Sequence, residues 1–272
     1  MSMGNWTKAD EIGAEAAAAL EAKRALVPQP SFQLSPEHKP LQARGGLLIA
    51  SLIAFIVMNA AGIEITFTAA SFIERALAGA FESEAQFQNE AMLLETIAIG
   101  LFWTSIAVLV ACAVAYSFFV YGAARNIERS NAKGLLVSAG WAVGWSFVPF
   151  ANLYKPYSVM GQIWKASHDP ARGAVEKPGY MLLWWIPYIV GNAVSRITQR
   201  VSEGSEDPEQ IISLGWIEAG ASALSILAGV VLIAIVRQVT RAQANWASIS
   251  AQQGTHLPPD ERDRAVHDPF RL

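Results

Sequence analysis

Cysteine is almost missing from this chain. Cys112 is the only one in 272 residues, so no intrachain disulfide can form and thiol pairing says nothing about compartment. Histidine is nearly as scarce, and His38, His168, His256 and His267 stand apart in polar segments without metal-ligand spacing. There is no phosphate-cradling glycine loop and no serine in a nucleophile-elbow pattern. With a net charge of −3, no basic stripe and no aromatic RNA-binding motif, a nucleic-acid surface is excluded. Catalytic residues, metals and cofactors are therefore not expected, and the chain reads as non-enzymatic. Met1 to Pro40 carries charge throughout and lacks a compact apolar core, so it is expected to be no signal peptide.

What is abundant is apolar surface. Hydrophobic residues make up 53% and charged ones only 16%, too apolar for an ordinary soluble domain. The charge is segregated, leaving windows of roughly 18 residues or more almost free of it, the pattern of membrane-crossing helices. The fold class expected is an all-α polytopic membrane bundle of four spanning helices, at about 45–68, 91–121, 179–197 and 211–236, plus a central re-entrant or interfacial element at 135–167. Residues 1–44 read as a cytosolic helix, Trp6 to Leu26, and a linker broken by Pro28, Pro30, Pro36 and Pro40. The membrane domain runs from 45 to 245. Val239, Ala242, Trp246 and Ile249 are spaced as a cytosolic amphipathic helix, and 246–272 reads as a largely disordered tail from Gly254 onward.

Lys and Arg set the orientation. The N-terminal segment, residues 122–178 and the C-terminal tail hold 17 of them, and the two opposite loops hold only Arg75, Arg196 and Arg200. Both termini are thereby expected in the cytoplasm. A full span at 135–153 would put Lys155, Lys165, Arg172 and Lys177 outside, so this stretch is expected to enter from the cytoplasmic side and return.

Its residues give a reason. Pro149 lacks an amide hydrogen and disfavours helix at Val148. Asn152 carries an amide able to bond the carbonyl that such a break releases, since irregular backbone at membrane depth must be satisfied; the alternative is that Pro149 and Asn152 form only a tight turn. Pro156 suits the first turn of a new helix. On that helix Tyr157, Met160 and Trp164 share a face, while Ser158, Gln162 and Lys165 point away. Two positions are open to it: in the interface, with Trp164 and Tyr157 at headgroup level and Lys155 and Lys165 toward anionic lipid, or packed on the cytosolic ends of the other helices.

The run from Trp145 to Tyr157, Trp-Ser-Phe-Val-Pro-Phe-Ala-Asn-Leu-Tyr-Lys-Pro-Tyr, resembles the hallmark of the bacterial domain-of-unknown-function 4328 family. Ile163 to Ser167, Asp169-Pro170, Arg125-Asn126, the Gly140 to Gly144 run with Trp141, Trp184-Trp185 and Ser195 to Ile197 fit the same pattern. Phe150 departs from the isoleucine more usual there. The resemblance spans roughly residues 45–245. It implies a multi-pass protein of a bacterial inner membrane and brings no activity or ligand.

Intramembrane polar residues are the remaining candidates, because a charge facing lipid costs a few kcal/mol. Glu64, Glu95, Glu218 and Arg196 can share one depth, giving a proton or cation site, a structural pair of Arg196 with Glu64 or Glu218, or side chains that snorkel to water. Asn59 and Asn192 are placed to bond between helices. Small residues recur every fourth position at Ala107, Ala111 and Ala115 and at Ala221, Ser225 and Gly229, as in close helix contacts within a bundle or homo-oligomer. The functional expectation is a module binding lipid or a membrane protein partner through its central Trp/Pro/Asn element. The rival is a small oligomeric transporter or channel with a polar pathway at the break.

Overall fold

The computed structural model describes residues 32–255, so the expected helix at 6–26, Pro28, Pro30 and the tail from 256 lie outside the described residues. Within them the chain is helical. The helices are α1 (Gln42–Leu77), α2 (Glu84–Arg129), α3 (Ala139–Gly144), α4 (Lys155–His168), α5 (Leu182–Ser202), α6 (Pro208–Ala244) and α7 (Trp246–Thr255). Short 3₁₀ turns at Trp145–Phe147, Ala151–Leu153 and Gly179–Met181 join the middle elements. The loops 78–83 and 203–207 form one end of the bundle, called distal. Both described chain ends and the segment 130–181 gather at the other, proximal end.

Uninterrupted apolar sequence gives three helices long and apolar enough to cross a membrane: α1, α2, and α6 with the start of α7. Of the four expected spans, three correspond to these helices, so a bundle with at least three apolar helices is what the described residues show. The helix expected at 179–197 forms as α5, but Tyr188, Asn192, Ser195, Arg196 and Gln199 dilute its hydropathy below theirs. It packs antiparallel along α6, the most extensive contact in the molecule, followed by α1 with α6 and α1 with α2. Residues 135–153 make no spanning helix: α3 has 6 residues and two turns follow it.

Burial differs sharply among the three long helices. In the most apolar window of α2 none of the residues is buried, against 44% in the corresponding window of α6. The small-residue stripes divide accordingly. Ala221 and Ser225 are buried, and a Cβ on Gly191 would lie 3.0 Å from the Ala221 carbonyl, so α5 and α6 approach closely there. Ala107 and Ala111, by contrast, are exposed, and of that stripe only Ala115 is buried.

The proximal end is tied by a buried polar network. Asn126 donates to Lys39 O (2.8 Å) and Gln243 Oε1 (2.9 Å) and accepts from Lys39 N (3.0 Å). Gln243 in turn donates to Ser167 Oγ (3.1 Å) and Ala123 O (3.3 Å). Both amides are thus satisfied where water is excluded, as buried polar groups require. Trp246, fully buried, donates to Ser167 O (2.9 Å) and meets Phe32 edge-on at 5.2 Å. The chain core therefore extends past the domain boundary expected at 245. Residues 32–41 strap α2 to α7 through Ser35 N to Ser130 Oγ and Leu34 N to Ser250 Oγ.

The distal end is held differently. Ser83 accepts from Gln86 N to cap α2, and Asp207 accepts from Glu209 N to cap α6 ahead of Pro208. Phe72, Phe81 and Phe87 cluster with centroids 5.3 Å apart, and Arg75 pairs with Glu90.

Candidate functional site

The central element is built as a tight reversal. Glu128 at the end of α2 accepts from Ala139 N (2.6 Å) and Ser138 caps α3, which anchors the element to α2. Val148 is extended (φ −88°, ψ 121°), as a residue before proline should be. Phe150 then takes φ 61° and ψ −38°, and Ala151 N donates back to Pro149 O at 2.7 Å. This is a γ-turn with positive φ, a strained conformation for a bulky residue. Pro156 lies in the first turn of α4 and is buried.

Asn152 does not satisfy the break in the way its sequence position suggests. Its side chain is exposed and makes no hydrogen bond to the described residues. Trp185 of α5 supplies the donor instead, with Nε1 bonding Leu153 O at 2.9 Å. Asparagine is too short to return across a turn whose backbone already bonds itself, through Asn152 N to Val148 O at 3.0 Å.

The element has two halves with opposite surroundings. Residues 136–154 show an apolar ridge to the outside: Leu136, Trp141, Phe147, Phe150, Leu153 and Tyr154 are all more than half exposed. Trp141 lies against Trp145 at 4.9 Å, and Lys155 places its amine 4.8 Å over the Trp145 ring and 5.3 Å over Tyr154. From Pro156 the chain turns into protein. Val159, Met160, Ile163 and Ala166 are completely or almost completely buried, and Trp164 is 6% exposed. Trp164 stacks on His168 at 4.1 Å and meets Tyr180 edge-on at 6.3 Å, while Lys177 covers Tyr157 at 3.8 Å. Of the two positions open to this helix, the structure has the packed one. Trp164 is covered by protein rather than exposed at headgroup level, with Tyr180 of the following segment set edge-on to its ring. Lys165 stays half-buried at the edge.

Between α2 and α5 lies a cleft of about 390 Å³, floored by α1 and α6 and closed at the proximal end by the central element. Its walls are apolar, with Leu52, Phe55, Leu109 and Leu232 among them. Asn152 and Ser146 stand at the proximal end, and Asn192 and Arg196 line the α5 wall. The Ser146 hydroxyl is buried without a partner, and so is the neighbouring Trp145 indole nitrogen. Cys112, read as a small buried residue, is half-buried on this cleft, with its thiol donating to Ser51 O at 3.2 Å.

The other polar candidates are not brought together as expected. Arg196 and Glu64 are exposed and make no ion pair among the described residues; Glu218 accepts from Ser195 instead, at 2.8 Å. Asn59 and Asn192 bond their own helices, at Phe55 O and Tyr188 O, rather than a neighbour, which is the local alternative open to a short amide. No group of three or more His, Cys, Asp or Glu that could hold a metal occurs among the described residues. Sequence reasoning missed Gln243. The signal was a polar residue four positions after Val239 and three before Trp246, on the face that both bury.

The domain-of-unknown-function model DUF4328 matches residues 84–241, more than half of the chain. The chain belongs to the DUF4328 family. The matched region contains the central element, α2, α5 and most of α6, and leaves α1 outside. DUF4328 carries no function in its description, so the match shows family membership alone. No curated protein and no solved structure matches the chain.

Proposed function

We propose that this protein is a non-enzymatic membrane module that holds a lipid in the cleft between α2 and α5. The acyl chain lies along the apolar walls, and the headgroup lies beside the central element, near Asn152, Ser146 and Lys155. In this reading α5 is a fourth crossing helix, the bare stretch of α2 faces hydrocarbon, and both termini are cytoplasmic in an inner membrane. The observation that carries it is the cleft itself, in which apolar walls end at a buried hydroxyl without a partner and an unbonded amide. An amphiphile satisfies both parts of such a surface.

Native mass spectrometry of protein extracted gently from its own membrane tests this. One retained lipid is expected, lost when Ala113→Phe fills the cleft. A stoichiometric partner protein with no lipid, or lipid retained equally by the variant, would overturn it. Arg196 and Asn192 on the α5 wall favour transport as the second reading. Proteoliposome flux that is indifferent to Asn152→Leu and Arg196→Gln would count against that reading.

A further inference from the structure

A second pocket, separate from the lipid cleft, lies toward the distal end between α1, α5 and α6, with a volume of about 400 Å³. Glu218 is the only charged residue lining it. One carboxylate oxygen of Glu218 is held by the Ser195 hydroxyl at 2.8 Å, and the other is buried with no partner among the described residues. A buried, unpartnered carboxylate oxygen is costly unless something satisfies it.

The rest of the lining narrows what that partner can be. Thr66 donates its hydroxyl proton to Gly62 O at 2.9 Å, and Thr198 donates to Val194 O at 2.9 Å. With Ser195 committed to Glu218, three of the four hydroxyls on the pocket have their protons engaged and present only lone pairs. Apart from the Gln199 amide and the Ser202 hydroxyl, the polar lining therefore presents acceptors, and it carries one negative charge with no basic side chain. Such a lining selects a ligand that is positive and rich in donors.

A bare metal ion does not fit. Calcium takes about six to eight oxygen ligands at bonding distance, whereas a single carboxylate serves a pocket this large. The opposite wall, with Ala70, Ile73 and Leu214, is apolar. We propose that this pocket binds a primary organic ammonium, its –NH₃⁺ donating to Glu218, Thr66 and Thr198 and its short hydrocarbon part lying against Ala70, Ile73 and Leu214. An ammonium supplies three donors and one charge, which matches the acceptor set.

The test uses the full chain in detergent, titrated with hexylammonium chloride and followed by thermal unfolding. Hexan-1-ol, sodium hexanoate and sodium chloride serve as matched controls. Hexylammonium should raise the unfolding midpoint of the wild type, and its apparent affinity should fall by about tenfold or more in Glu218→Gln. Equal protection by hexan-1-ol would overturn the charge assignment, and equal protection by sodium chloride would overturn the organic one. Unchanged hexylammonium affinity in Glu218→Gln would overturn the site. If that variant does not fold, Thr198→Val replaces it. It keeps charge and shape but removes one acceptor, and an unchanged affinity there overturns the proposal equally.

Discussion

Along one helix, α2, two environments can be compared directly. Around Asn126 the helix is enclosed by the 32–41 strap, α4 and the end of α6, and the amide makes three hydrogen bonds. Toward the distal end Leu93, Ile97, Phe102, Trp103, Ile106 and Val110 all face outward. The first environment holds itself together through internal packing and hydrogen bonds. The second offers nothing for the protein to bury and depends on whatever medium surrounds it. Stability and membrane affinity are thus assigned to different turns of the same helix.

The sharpest way to break this comparison is to truncate at both ends. Trp246→Ala should cost about 3–5 kcal/mol in unfolding titrated with SDS and followed by circular dichroism. Gln243→Leu, which strands Asn126 and Ser167, should cost about 2–3 kcal/mol. Ile106→Ala or Leu93→Ala should change the same midpoint little. Equal losses at the two ends would show that the bare stretch is packed after all.

Trp185→Phe keeps the ring and removes the donor to Leu153 O, so it should cost about 1–2 kcal/mol. A neutral result would mean that the turn needs no support from α5.

Phe150→Gly tests the strained turn. Glycine relieves the positive φ but adds freedom to the unfolded chain, so the net gain should be at most about 1 kcal/mol. Binding to anionic vesicles should weaken, because the most exposed aromatic of the ridge is gone. A loss of more than about 1 kcal/mol, beyond what the added freedom of glycine accounts for, would mean that Phe150 is held by contacts at the surface rather than merely tolerated.

The smallest effect concerns pH. Burial lowers the His38 pKa below its ordinary value of 6.5, and the ring lies 5.6 Å from Trp246. Below pH 6.5 the unfolded chain takes up this proton before the folded one does. The contribution of His38 is complete above that pH and declines as pH falls through it. Replacing His38 with Gln should flatten the acid limb of the unfolding midpoint between about pH 7 and 5.

The helices and their order were legible because each long element repeats apolar residues far beyond what a soluble helix needs. Pro149 and Pro156 marked the break and the restart, since a missing amide acts locally whatever the fold. The partners of the polar side chains were not legible. Asn152 lost its expected role to Trp185, and Arg196 lost Glu218 to Ser195, which lies next to Arg196 on the same helix. Trp164 was open to two positions in sequence, because an apolar helix face reads alike whether lipid or protein covers it. Segment 170–181, which decides the matter, carries little periodicity.

The length of α2 has a mechanical consequence. Its 46 residues make a rod of about 70 Å, more than twice the ~30 Å of hydrocarbon it would cross. An α-helix cannot stretch without breaking its own hydrogen bonds, so the rod transmits displacement along its axis without slack. A shift along its axis imposed on the bare segment is therefore expected to reach Asn126, where the N-terminal strap and the last helix are fastened.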